Sequence, residues 1–555
     1  MTLFGKPLID AARGMGPADM IFENATIFNP FSCSWDEGTL AVKDGIILGI
    51  GEYEGKETRD CSGKYLIPGL IDAHVHIESS LLTPSEYARL VALHGTGTVI
   101  ADPHEIANVA GVKGIEYMLA ARNGAAIDIL YMLPSCVPAT PADAGGAVLD
   151  ARSLRQFVGK EGILGLGEMM NFPGVLAADP GIGEKLALVK TRDGHAPMLS
   201  GKDLNAYILA GLQSDHECTT LAEAEEKLKA GMHIFIREGS TEKNIEALIP
   251  LVTPKTVSRC SFATDDCHAD LLMDDGHIDR CIRSAIASGL SPELAIRMAT
   301  LSPAEHFGLH DRGALSPGRR ADFCMIDDPE KFVVQEVFRH GTAVTAAATV
   351  PAAAFPPSIR CRPPQPETIQ VSGSGWARVI GLVPGQIVTE ALAYEFSPAG
   401  IPDRARDIQK VVVCNRYHDA PPGLGLVHGF GFQNGAIACS ISHDAHNIVA
   451  TGTSDDTILR AIREVVRAQG GMVAVCGDET TVLPLDGAGL MSTLPYPQVV
   501  ERLRALHRTT EKIGGIDNPF MYLSFLALTV IPALRVTDRG VFDGVAFRDV
   551  PLFEG

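Results

Sequence analysis

Apolar positions recur along this chain in two rhythms. From Asp19 to about Tyr65 the runs MIFENATIFNP, TLAVKDGIILGIG and RDCSGKYLIPG are short, alternating, and separated by Gly and Asp, a pattern that predicts short antiparallel strands joined by turns. After Ile71 strand-length apolar runs (GTGTVIADPHE, AIDILYMLPS, GILGLGEM, HIFIREGS) alternate with helix-like segments such as PSEYARLVALH, GVKGIEYMLAARNG and LAEAEEKLKAG. Strands apolar on both faces and alternating with helices predict a parallel sheet of βα units. The units are too many for a small domain, and polar residues gather where the strands end. The expected fold is therefore α/β, a distorted TIM-type (β/α)8 barrel with its site at the C-terminal strand ends.

Short strands return in RGALSPGRRADFCMIDD, residues 312–328, and an Ala- and Pro-rich stretch near 345–366 reads as a linker. Beyond it, IQKVVVCN and MVAVCG read as strands and DDTILRAIREVVRAQG as a helix. The expected organisation is a small flanking β-sandwich from residues 19–67 and 309–350, the barrel from 68–308, and a separate C-terminal α/β domain from 366–555. No repeat of fixed period interrupts it.

Composition narrows the partners. The 555 residues are 46% hydrophobic and 21% charged, as in a globular protein, and carry a net charge of −20. That charge argues against nucleic acid, whose binding needs clustered Lys and Arg. The apolar segment from Phe520 to Leu534 is shorter than the ~20 residues of a membrane span and is broken by Pro532, so a buried core element is expected there and no membrane contact. The N-terminus lacks the pattern of a signal peptide. Twelve cysteines without a CxxC suggest reduced, buried thiols and a cytoplasmic protein.

The chemistry begins at DAHVHIESS, residues 72–80. In a strand, positions i and i+2 face one side, so His74 and His76 aim two imidazoles at one point. Further strand-like runs end in Asp102, His104 and Glu105 of DPHE, in Glu168 of GLGEMMN, in His195 of DGHAP, in Asp215, His216 and Glu217 of SDHE, and in Asp265 and Asp266 of ATDD. Each alone reads as a helix cap or a loop residue. In a barrel, however, these strand ends converge on one mouth. Four imidazoles and two carboxylates there make a divalent metal site for Mn, Fe or Zn, with no thiolate among the donors. A Glu with two oxygens can bridge two ions, and the default chemistry is attack of an activated water on an electrophilic carbon. A scaffold retaining only a structural metal is the contrasting reading. The surplus acids Asp102, Glu105 and Glu217 weigh against it.

PGLIDAHVHIESS and ATLSPAEHFGLHDRGALSPGRRADFCMID resemble signatures of the amidohydrolase superfamily. Together with DPHEIAN, GLGEMMN, DGHAP, SDHE, ATDD and the later GFGFQNGAIACSISHDAHNIVATGT, they resemble the adenine deaminase family over nearly the whole chain from about residue 19. The resemblance implies hydrolysis of adenine, with water, to hypoxanthine and ammonia. It implies two divalent ions per chain, Mn(2+) or Fe(2+) ahead of Zn(2+), on His74, His76, Glu168, His195, His216 and Asp265. Asp265 also matches a proton shuttle.

Mononuclear purine and pyrimidine deaminases place a Glu three residues after the fifth-strand His, where this chain has Met198. The acid serving the ring is therefore expected from Asp102 or Glu105, with Glu217 in reserve. His104, Glu217 and His443 are expected to bind substrate. In SISHDAHN the family more often carries Ser where this chain has Ala445. This motif either holds a strand end or domain contact, or reaches over the barrel mouth, in one version from a neighbouring subunit. A homo-oligomer, dimer or larger, is expected. Two alternatives keep the fold and metals: a dihydroorotase- or hydantoinase-like cyclic-amide hydrolase, and a deaminase of a close 6-substituted purine.

Overall fold

The structure, a computed structural model, describes residues 5–140, 142–345, 355–386, 388–396 and 403–554. Eight parallel strands carry the barrel: β1 (Leu70–Val75), β2 (Thr96–Ala101), β3 (Asp128–Leu133), β4 (Ile163–Met169), β5 (Arg192–Gly194), β6 (Ser214–Asp215), β7 (His233–Arg237) and β8 (Cys260–Ala263). β1 to β5 pair in sequence order as one sheet and β6 to β8 as another. At the β8–β1 seam the Asp265 amide donates to His74 O at 3.0 Å, and the His76 amide donates to Asp265 O at 3.2 Å. At the β5–β6 seam the Gln213 amide donates to Arg192 O at 3.0 Å. The barrel is thus closed but interrupted, and one interruption lies among the expected metal ligands.

Ala73, Ile100, Leu130, Met132, Phe235 and Ala263, from five of these strands, pack with Phe307 in one buried cluster. Residues from so many strands meet only in the barrel interior. Outside, the three expected helices form over Pro84–Ala92, Val112–Ala121 and Leu221–Lys229. The Thr220 side chain starts the last of these by accepting from the Glu223 amide. The short helix α1 (His104–Ala110) follows β2 and begins inside the DPHE motif.

Strands from before and after the barrel share one eight-stranded sheet. Its junction is Tyr65–Pro68, which leads into β1 and pairs antiparallel with Phe323–Ile326. Of the linker expected at 345–366, residues 346–354 lie outside the described residues, as do the last five of the flanking segment; residues 355–365 carry no helix or strand.

A second eight-stranded sheet, almost wholly antiparallel, runs between Gly375 and Pro484. Two of its neighbouring strands are β9 (Ala436–Cys439) and β10 (Ile448–Gly452), with the SHDAHN motif in the loop between them. The expected helix forms as α2 (Asp455–Arg467), its first turn capped by Ser454, which accepts from the Thr457 amide. The apolar segment after Pro519 forms α3 (Pro519–Phe525) and a run of turns, with Phe520, Leu523, Phe525 and Leu526 buried. Leu523 and Leu526 share a core with Ile106 and Val109 of α1 and Tyr87 of the barrel. The two parts of the chain are therefore packed against each other through buried apolar surface. Among the described residues no helix is long and apolar enough to cross a membrane.

Candidate metal centre and its acidic neighbours

Glu168, at the end of β4, organises the barrel mouth. Its Oε1 lies 3.2 Å from His76 Nε2 and 3.9 Å from His74 Nε2, while Oε2 lies 2.8 Å from His195 Nδ1 and 3.2 Å from His216 Nε2. One carboxylate thus offers one oxygen to each of two imidazole pairs. Asp265 closes the first group, its Oδ1 3.2 Å from His76 Nε2 and 3.6 Å from His74 Nε2. Five of these six side chains are buried, and His195 is partly exposed. Asp265 takes φ = 55°, a sparsely populated region for a residue with a Cβ and one often found at functional sites.

Local sequence explains the placement. His76 Nδ1 bonds Asp102 O at 2.9 Å, which turns Nε2 into the cluster. The Glu168 amide donates to Asp102 Oδ2 at 3.0 Å. Residue 167 must be Gly because a Cβ there would collide with that same carboxylate. Behind β1, Asp72 Oδ1 accepts from the amides of His74 and Thr264, both at 3.2 Å, and Asp72 Oδ2 lies 2.9 Å from His277 Nε2. His277 is completely buried in this tie between β1 and β8.

The donor set fits divalent cations. His74 Nε2 is buried, faces two carboxylates, and has no hydrogen-bond partner. Buried polar atoms are rarely left this way, and a cation between the groups would satisfy it.

The other expected site residues separate into two places. Glu217 sits beside the cluster, its Oε1 3.3 Å from His216 Nε2 and 3.6 Å from His195 Nδ1. Arg237, which ends β7, bonds Glu217 Oε1 at 2.5 Å and Asp265 Oδ2 at 2.8 Å. Burial would raise both carboxyls, but the guanidinium and the neighbouring imidazoles outweigh it and hold both well below the usual range. Sequence reasoning passed over Arg237, although it ends a strand-like run just as the other site residues do. Glu217 and Arg237 line a cavity of about 640 Å³ together with Met521, Tyr522 and Phe525 from α3, a size suited to a small-molecule site.

Glu105 turns away from the cluster toward the β9–β10 loop. Its Oε1 lies 2.8 Å from His443 Nδ1, and its Oε2 bonds His446 Nε2. His104 bridges the two places, with Nδ1 3.4 Å from Glu168 Oε1 and Nε2 3.4 Å from Glu105 Oε1. Asp102 lies beneath the cluster, 1% exposed. The SHDAHN motif thus reaches the barrel mouth from within the same chain.

Residues 65–344 match the amidohydrolase family, and residues 386–548 match the adenine deaminase C-terminal domain. Fold and site together define a metal-dependent hydrolase of the amidohydrolase type. An adenine deaminase of Methanoregula boonei is 66% identical over 98% of this chain and 98% of its own. One from Methanoculleus marisnigri is 61% identical over 92% of this chain and 99% of its own, and one from Desulfatibacillum aliphaticivorans 45% over 99% of each. The chain belongs to the adenine deaminase family.

Proposed function

We propose that this chain hydrolyses adenine to hypoxanthine and ammonia, with the cluster around Glu168 as the reaction centre. The observation that carries the reading is the split Glu168 carboxylate between two imidazole pairs, in a chain whose full-length relatives are adenine deaminases. His74, His76 and Asp265 would hold one divalent ion and His195 and His216 a second, with Glu168 offering an oxygen to each. Imidazole and carboxylate donors suit Mn(2+), Fe(2+) or Zn(2+). Such ions, when bound, lower the pKa of water from ~15.7 toward 7 and so supply a nucleophile at neutral pH.

The chain's own residues handle the protons. His74 and His76, with Arg237, hold Asp265 ionised against its burial, and Arg237 fixes its Oδ2, so Asp265 can take a proton from the attacking water and deliver it to the departing amine. Of the carboxylates considered for the ring nitrogen, Glu217 is kept ionised by Arg237, and Asp102 is engaged by the Glu168 amide. Glu105, with its imidazole partners, is left. The purine would occupy the cavity between Glu217, Arg237 and Phe525.

The test is ammonia release from adenine by metal-stripped protein reconstituted with Mn(2+), followed as metal is titrated. Turnover rising to a plateau at two ions per chain is expected. A plateau at one would remove the bridging role of Glu168. Bound metal with no ammonia from adenine would overturn the reading, and hydantoins would become the next substrates.

A further inference from the structure

The Glu105 cluster poses a chemical problem for a simple carboxylic acid at this position. Both Glu105 oxygens face imidazole nitrogens, His443 Nδ1 on one and His446 Nε2 on the other, with His104 Nε2 3.4 Å from Oε1. A proton shared among these groups goes to an imidazole, whose ordinary pKa of about 6.5 lies some two units above that of a glutamic acid. The groups are buried, so solvent does not compete for it.

Two observations single out His443. Its ring lies face to face with Phe525, centroids 4.8 Å apart and planes at 17°, and Phe525 lines the large cavity with Glu217 and Arg237. His443 also lines a smaller adjoining cavity with Ser79 and Asp266, directly beside Asp265, and Met521 borders both. His446, by contrast, is 1% exposed, and its Nδ1 accepts from the Ser442 amide at 3.3 Å.

We propose that His443 is the acid that protonates N1 of the purine, with Glu105 as the carboxylate that orients it and His446 as a positioning residue that fixes Glu105. This rests on the deaminase reading above. Glu105 on Nδ1 leaves Nε2 as the donor, the logic by which a carboxylate sets the tautomer and supports the charge of a catalytic imidazole. As the oxygen of water bonds to C6, the π pair of C6–N1 moves onto N1 and takes the Nε2 proton. That proton remains on N1 of hypoxanthine. Of the two protons of water, one leaves in ammonia, and the other passes to solvent and balances the proton with which His443 is recharged.

The groups facing His443 are Glu105 from α1, Asp266 and His268 after β8, and Asp444 and His446 from its own loop. Burial alone would lower the His443 pKa, but Glu105 outweighs it and raises it to about 9. His446 is lowered to about 4, chiefly by burial, and stays neutral.

The experiment measures kcat/KM for adenine against pH in wild type and in His443→Gln, with bound metal counted in both. Wild-type activity should fall as pH rises through about 9, where the imidazolium is lost. His443→Gln should lose on the order of 10²- to 10³-fold, lack that basic limb, and keep its full metal content. It should lose less on 2-fluoroadenine, whose electron-poor ring accepts the developing charge with less help. His446→Gln should move the limb rather than remove it. His443→Gln within threefold of wild type, an unchanged limb, or loss of a metal ion would overturn the assignment. If His443→Gln does not fold, Glu105→Gln must shift the limb to lower pH, and an unmoved limb overturns the proposal equally. A wild type inert toward adenine would instead sink the deaminase reading.

Discussion

Two clusters of the same residue types stand side by side at the barrel mouth, and they are built differently. The Glu168 cluster is drawn from the ends of parallel strands, and its six members converge because the barrel topology brings those ends together. The Glu105 cluster joins one barrel helix to a loop of the antiparallel sheet more than 330 residues later in the chain. In the first, an imidazole nitrogen is left buried without a partner, which suits a cation. In the second, the carboxylate oxygens are each taken by an imidazole, which suits the holding and delivery of a proton. Histidine and glutamate alone do not tell a metal site from an acid. The partners left unsatisfied do.

The comparison breaks most decisively if metal removal and acid removal look alike. Chelation should abolish turnover while far-UV circular dichroism is retained, and Mn(2+) should restore it; an active stripped protein would empty the first cluster of its role. Asp265→Asn keeps the shape but cannot accept a proton, and kcat should fall about 10³-fold or more. Near-normal turnover by that variant would remove the shuttle.

Arg237→Met tests the link between the cluster and the cavity. It removes the guanidinium that bonds both the buried Asp265 and the partly buried Glu217, so denaturant unfolding should show a loss of about 3–5 kcal/mol. Metal binding would offset part of this, and the measurement is best made on stripped protein. Stability unchanged in Arg237→Met would mean the guanidinium is not the counter-charge.

A smaller effect belongs to the second cluster. A His whose folded pKa is raised contributes stability that is fully present below its unfolded value, about 6.5, and lost as pH rises through the folded one, about 9. The unfolding midpoint of wild type should therefore decline between pH 7 and pH 10, and His443→Gln should flatten that decline. Smallest of all, Ala445→Ser, on the same loop but outside the hydrogen bonds to Glu105, adds one hydroxyl at a buried position and should cost about 1 kcal/mol or less with near-normal turnover.

Much of this architecture is legible in the order of residues alone. Apolar runs of strand length alternating with helical segments specify βα units, because burial on both faces leaves little choice of residue. The HxH spacing and the polar residue closing each run mark the mouth, because strand ends in a barrel have only one place to meet. Arg237 carries the same strand-end signal but escapes a search for metal ligands, because an arginine is not one. Its task, holding the Glu217 and Asp265 carboxylates ionised and in place, appears only once the two are neighbours.

The sequence by itself determined the barrel, the order of the donors along it and the chemistry those donors favour, since period, spacing and side-chain type are local properties of the chain. Only the tertiary structure decided that the SHDAHN loop of this same chain closes on Glu105 and that Phe525 walls the cavity beside Glu217. Those contacts join residues hundreds of positions apart. They follow from how the antiparallel sheet and α3 pack against the barrel through shared apolar surface, which no local pattern encodes.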